Sequence, residues 1–204
     1  MTAVVLRMTQ LAIFASGAGT NAKNIINHFR HHPVICVSLV VCNRPDAGVL
    51  TIAREAGIPE LLIDKESFFS GTAYVPELRG KKIDYIILAG FLWKIPEALI
   101  KAYPRRIINI HPALLPKHGG KGMYGRFVHE AVIAASDQET GITIHYVDEQ
   151  YDHGEPIFQA RVPVEPGDDA GTLARKVQSL EYEHFPEVIE RVVNSERRNL
   201  QNHR

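Results

Sequence analysis

The chain has 204 residues, 45% of them hydrophobic and 23% charged, the make-up of an ordinary globular protein with one sizeable core. Lys and Arg together number 23, as do Asp and Glu, so the formal charge is zero and there is no basic field to hold nucleic acid or an anionic membrane. The two cysteines, Cys36 and Cys42, are too few for a disulfide framework, and no apolar run approaches the roughly 18 residues of a membrane span.

The N-terminal "MTAVVLRMTQLAIF" has a short apolar stretch broken by Arg7 and no small-residue cleavage pattern, so secretion is not expected. The regular pattern begins just after Met8, a candidate start, and the cysteines read as reduced thiols of a cytoplasmic protein. Strand-length apolar runs follow at 11–16, 34–42, 61–63, 83–90 and 106–111. They are continuous and not alternating, so both faces of each strand must be covered, which predicts a doubly wound, mostly parallel α/β sheet of Rossmann-like type. Between them, "NAKNIINHF" carries Ile25, Ile26 and Phe29 at helical spacing, "AGVLTIAREAG" ends at Gly57 with Pro59 beyond, and "PEALIKAYP" is bracketed by prolines. After residue 112 the pattern changes. A helix, "GRFVHEAVIAAS", leads into two strands, "GITIHYV" and "PIFQARVPV", that predict an antiparallel excursion. A long helix over about 170–194, kinked at Pro186, closes the fold, and "NSERRNLQNHR" reads as a frayed tail. One domain over 1–204 is expected, with halves at about 9–111 and 112–195.

"FASGAGTNAKNI" is a strand, a glycine-rich turn and a helix start. Gly17 and Gly19 permit positive φ and close approach of a ligand, and the first helical amides are unsatisfied donors at a positive dipole end, so the turn is suited to a phosphate. The Lys-Ser/Thr pair of a triphosphate loop is missing, and Asn24 stands where a dinucleotide fingerprint has its third glycine. In "NIHP", alternation along a strand points Asn109 and His111 to one face at the carboxyl end, where ligand crevices of open α/β sheets lie. An amide and an imidazole there can stabilise a developing oxyanion and move a proton, or they can form a polar strand tip bonded to its own loop. Asp152, in the turn "YDHG", is a candidate third member that would orient His111 and raise its pKa. His28, His31 and His32 suit a helix C-terminus better than a metal, His145 reads as a satisfied structural histidine, and Glu181 lies inside the last helix. No cluster has metal-ligand spacing.

Taken together, "FASGAGTNAKNI", "LAGF", "NIHPALLP", "GITIHYVDEQYDHGEPI" and "VQSLEYEHFPEVI" resemble the glycinamide ribonucleotide formyltransferases, folate-dependent enzymes of purine synthesis. The resemblance implies direct transfer of the formyl group of 10-formyltetrahydrofolate to the amino group of glycinamide ribonucleotide, without a metal. It implies Asn109, His111 and Asp152 as the catalytic set, the turn Gly17, Ala18, Gly19, Thr20 and Asn21 as the phosphate site, and Glu181 as the ribose ligand. The folate is implied to rest between the segment Leu92, Trp93, Lys94 and Ile95 and the loop bearing Asp148, Glu149 and Asp152. Relatives commonly carry Arg-Ile where this chain has Trp93-Lys94. The stretch 66–82 offers no match for an arginine that often assists phosphate binding, leaving Lys65 or Lys23 in its place. Glycines in "HGGKGMYGRF", 118–127, suggest a mobile cover over the site.

Small-molecule partners are expected, with no nucleic acid or membrane, and a monomer or homodimer. The nearest rival is a formyltetrahydrofolate deformylase, which would use the same trio with water. Methionyl-tRNA formyltransferase needs a second domain and a basic surface that this chain lacks. A non-catalytic nucleotide binder would instead use Asn43-Arg44 after the second strand as a ribose contact.

Overall fold

The computed structural model describes residues 7–70 and 74–202; the apolar stretch before Arg7 lies outside them. Seven strands form one sheet in the order β3-β2-β1-β4-β5-β6-β7. The strands are β1 (Thr9–Ala15), β2 (Ile35–Cys42), β3 (Glu60–Leu62), β4 (Tyr85–Leu88), β5 (Ile107–His111), β6 (Glu139–Tyr146) and β7 (Pro156–Pro163). The first five pair in parallel, and β6 and β7 add on antiparallel, Asn109 lying opposite His145 and His111 opposite Thr143.

Both faces of the parallel part are dry, and β1 shows why its sequence reads as an unbroken apolar run. Leu11, Ile13 and Ala15 join one core, with α1 (Thr20–Phe29), α2 (Gly48–Glu55) and α7 (Ala170–Asn202). Ala12 and Phe14 join the other, which draws Phe68 from α3 (Lys65–Phe69), Leu78 from α4 (Tyr74–Gly80) and Leu99 from α5 (Glu97–Ala102). Period-two alternation thus feeds two cores, and neither face can be polar. The short helices α3 and α4 carry too few turns to show a period and were not foreseen.

The sixth helix, α6 (Arg126–Ala134), lies between the "HGGKGMYG" loop and β6 and packs against α7. α7 opens with a reciprocal cap: Asp169 Oδ1 accepts from the Thr172 amide and Thr172 Oγ1 accepts from the Asp169 amide, each at 2.7 Å. The helix holds Pro186 in its interior and continues through Asn202, so residues 195–202, expected as frayed tail, are helical. Arg197 explains part of this: its guanidinium donates to the Arg7 carbonyl and to Thr9 Oγ1, fastening the last turns to the start of β1.

Candidate active site

Chain segments from both halves meet at the carboxyl ends of β1, β4 and β5, as the topology of an open sheet predicts for a ligand crevice. The β1 turn is tied to the segment after β4 by two bonds. The Ser16 amide donates to the Gly90 carbonyl at 3.1 Å and the Leu92 amide donates to Ser16 Oγ at 3.0 Å. Between them opens a cavity of about 1070 Å³, at or above the roughly 300–1,000 Å³ usual for one small ligand.

Asn109, His111 and Asp152 converge on its wall. His111 Nδ1 lies 3.4 Å from Asp152 Oδ2, and Asn109 Nδ2 donates to Asp152 Oδ1 at 3.4 Å. The second carboxylate oxygen also accepts from the Gly120 amide at 2.9 Å. His111 Nε2–H donates to the His118 carbonyl at 2.8 Å. His145 completes the cluster: its Nδ1–H donates to the Tyr146 carbonyl at 2.8 Å, which leaves Nε2 as the acceptor for Asn109 Nδ2 at 3.0 Å. It is a satisfied histidine, as its sequence setting suggested, and the neighbour it satisfies is Asn109. Asp152 and His118, which both grip His111, have left-handed backbones, φ 52° and 53°. Such conformations are uncommon outside glycine and persist only where the surroundings hold them.

The electrostatics follow from burial. His111 is 3% exposed, and burial lowers its pKa below the ordinary histidine value, with Asp152 and the His118 carbonyl opposing. The expected upward push from Asp152 is present but outweighed. For Asp152, burial raises the pKa, but His145, His111 and the Gly120 amide together bring it below the ordinary carboxylate value. The loop expected to be a mobile cover is therefore pinned at two points, one on each member of the His-Asp pair.

At the other end the β1 turn contributes Ser16, Gly17 and Asn21 to the cavity, while Ala18, Gly19 and Thr20 are not on its wall. Gly19 takes φ 79° as the residue before α1, whereas Gly17 does not need positive φ. A Cβ on Gly19 would sit 2.7 Å from Val49 Cβ, so this glycine serves the packing of α1 on α2. Glu181 crosses from α7, and its Oε2 accepts from Asn21 Nδ2 at 2.9 Å across 160 residues of sequence. Burial raises its pKa, against the pull of Asn21. Arg44, at the end of β2, also lines this end. It supplies the cation that the sequence offers at Lys65 or Lys23, neither of which reaches the cavity.

The segment after β4 divides. Leu92 lines the cavity with Phe91. Trp93 turns away into an aromatic cluster, 5.6 Å from Phe68 and 5.8 Å from Phe69 between ring centroids, and Ile95 is buried in the α3–α5 core. Lys94 is exposed and off the wall. Asp148 and Glu149 are off it too; Asp148 accepts from the Gln150 amide at 2.8 Å and lies 2.7 Å from His153 Nδ1, shaping the loop that presents Asp152. Tyr151 and His129 reach the wall without having been singled out from sequence. Among the described residues no group of three or more His, Cys, Asp or Glu is arranged to hold a metal ion, and no helix is long and apolar enough to cross a membrane.

Residues 9–189 match the formyl transferase family. The chain is 41% identical over 192 residues to "Phosphoribosylglycinamide formyltransferase, chloroplastic" of Vigna unguiculata, a match covering 92% of this chain and 62% of that protein, so it spans less than two thirds of the plant relative. It is 32% identical over 191 residues to the phosphoribosylglycinamide formyltransferase of Bacillus subtilis (strain 168), covering 91% and 95% of the two. The crystal structure of phosphoribosylglycinamide formyltransferase from Bacillus halodurans shares the fold with a TM-score of 0.82 at 37% identity, over 91% of this chain and 95% of that one. Since the matched stretch runs from β1 into α7 and takes in every segment that reaches the cavity, the chain belongs to the formyl transferase family.

Proposed function

We propose that this chain transfers the formyl group of 10-formyltetrahydrofolate to the amino group of glycinamide ribonucleotide, as one formyltransferase domain. The observation that carries the reading is one cavity holding the Asn109, His111 and Asp152 cluster at its centre and Gly17, Asn21, Arg44 and Glu181 at one end. In it the phosphate meets the half at about 9–111, at Gly17, Asn21 and Arg44 beside the start of α1, and the ribose hydroxyls meet Glu181. The folate meets the half at about 112–195 together with Phe91, Leu92 and Tyr151. Two free cysteines support cytoplasmic residence.

Attack of the amine on the formyl carbon gives a tetrahedral species with a negative oxygen and a positive nitrogen, so the site must supply donors to the one and a route for the proton of the other. Asn109 Nδ2 carries two hydrogens: one is held by His145 Nε2 at 3.0 Å, and the other, in a long and weak 3.4 Å bond to Asp152, is the one available to the oxygen. His111 Nε2–H serves the same oxygen once it leaves the His118 carbonyl. Asp152, beside Nδ1, holds the imidazole in place and, with water, helps carry the proton from the attacking nitrogen to the departing folate nitrogen.

The test is consumption of a 10-formylfolate donor by purified protein with and without glycinamide ribonucleotide. Turnover is expected only with it. Equal consumption without the amine would replace the transferase reading by a hydrolase that uses the same trio with water.

A further inference from the structure

His129 has no part in the chemistry derived so far, and its surroundings are unusual. It sits on α6 beside Val128, is 5% exposed, and lines the cavity. Its Nδ1 is fully buried with no hydrogen-bond partner. Among the described residues no hydrogen bond or ion pair engages Nε2, which is not one of the fully buried unpartnered atoms and so keeps its access to the cavity.

The state of the ring follows. A proton on Nδ1 would be a buried donor with nothing to receive it, a rarer and costlier condition than a bare acceptor nitrogen. The proton therefore sits on Nε2, and a second proton is opposed. Burial and the nearby His111 both lower the pKa of this ring. The imidazole is thus an uncharged donor on the cavity wall, its N–H on the ring nitrogen that is not sealed in the protein, and it is unsuited to act as a base. An uncharged donor is matched by an uncharged acceptor, such as a carbonyl oxygen.

We propose that His129 is a specificity-determining residue whose Nε2–H binds the amide carbonyl oxygen of the glycinamide group. The proposal rests on the substrate reading above. In that reading the phosphate, the ribose and the formyl oxygen already have partners. The amide carbonyl, one methylene from the attacking nitrogen, is the remaining carbonyl acceptor on the ribonucleotide, and His129 lines the same cavity as His111.

A partner for the substrate alone is a liability for the empty protein, which distinguishes this role from a structural one. His129→Leu removes a buried polar atom that the fold leaves unsatisfied, so it is expected to melt no lower than the wild type. It should raise the KM for glycinamide ribonucleotide by about 3- to 10-fold, the range for one neutral hydrogen bond. The KM for the folate donor and kcat should stay within about twofold, because binding shared by ground and transition states is lost. His129→Gln, which keeps an N–H donor of similar reach, should recover most of the affinity. His129→Phe, a ring without a donor, should behave as the Leu variant and serves if that variant does not fold. An unchanged KM for glycinamide ribonucleotide in the donor-less variant would overturn the proposal. So would a lowered melting temperature with kcat and both KM values impaired together, the mark of a packing residue. Absence of formyl transfer by the wild type would overturn the substrate reading, and this proposal with it; transfer by the wild type with an unchanged KM in the variant overturns this proposal alone.

Discussion

At the scale of the residue, the Asp152 carboxylate is defined by what faces it. The Gly120 amide, Asn109 Nδ2 and the His111 ring all approach as donors or potential donors. An amide in its place must turn its NH2 toward one of them, so Asp152→Asn is isosteric without being neutral to its neighbours. Either the loop anchor at Gly120 or the orientation of Asn109 is disturbed, in addition to the loss of charge beside His111. The expected outcome is a fall in kcat of about 10²-fold or more, with a change in the imidazole limb of the pH profile of kcat/KM. The KM for glycinamide ribonucleotide should move little, because the end holding Gly17, Asn21 and Glu181 is untouched. Combined with His111→Asn, the loss should be far smaller than the product of the single losses, as for groups acting as one unit. A pH profile of wild-type shape in Asp152→Asn, or multiplicative losses in the double variant, would reduce Asp152 to a turn residue.

At the scale of the element, the β1–α1 turn separates two glycines that sequence alone treats alike. Gly17 borders the cavity and faces open space, with nothing within 4 Å of where a Cβ would sit; Gly19 is closed in by Val49 at 2.7 Å and has φ 79°. Gly17→Val is therefore expected to fold normally and to raise the KM for glycinamide ribonucleotide much more than that for the folate donor, as steady-state kinetics would show. Gly19→Val should lower the melting temperature, since both the contact and the backbone are strained. Equal KM effects in a folded Gly17→Val would make the turn purely structural. The sheet itself was legible in the sequence, because strands covered on both faces have no choice but to be apolar throughout, and the β6–β7 pair announced itself by the change of pattern after residue 112. Alternation placed Asn109 and His111 on one face correctly. Less accessible were features set by packing between distant elements. Trp93 reads as a crevice residue until α3 brings Phe68 and Phe69 to it, and α3 is too short to declare itself. Arg44 was within reach, since the rule that directs attention to the carboxyl ends of strands applies to β2 as well as to β5. His129 was not, because which side of α6 meets the cavity depends on how that helix lies against α7.

At the scale of the whole molecule, several titrating groups tie stability to pH in separable windows. His111 and His129 have folded pKa values below their ordinary 6.5, so on acidification the unfolded chain takes up protons that the folded one resists. Stability is therefore full above about pH 6.5 and declines as pH falls through the interval between that value and the folded pKa values. Asp152, whose folded pKa lies below the ordinary 3.8, acts in a lower window, where its contribution is lost as pH falls through the folded value. Glu181, raised above 4.5, acts oppositely and becomes less costly on acidification. Melting temperatures measured between about pH 7.5 and 5.5 should fall toward acid, and His129→Leu should make the decline shallower. A flat wild-type curve would mean that both rings accept protons within the fold. The bond between Asn21 and Glu181 has a different kind of consequence, one of timing. A chain emerging from the ribosome has its proposed catalytic trio once residue 152 is made and its seventh strand once Pro163 is made. The end proposed for the ribose is still open then, because Asn21 waits for Glu181, 160 residues further on. A nascent chain stopped between Pro163 and Glu181 can pair its whole sheet and still lack the Asn21–Glu181 bond, so on the proposed reading binding competence arrives with the docking of the last helix and not with the completion of the sheet.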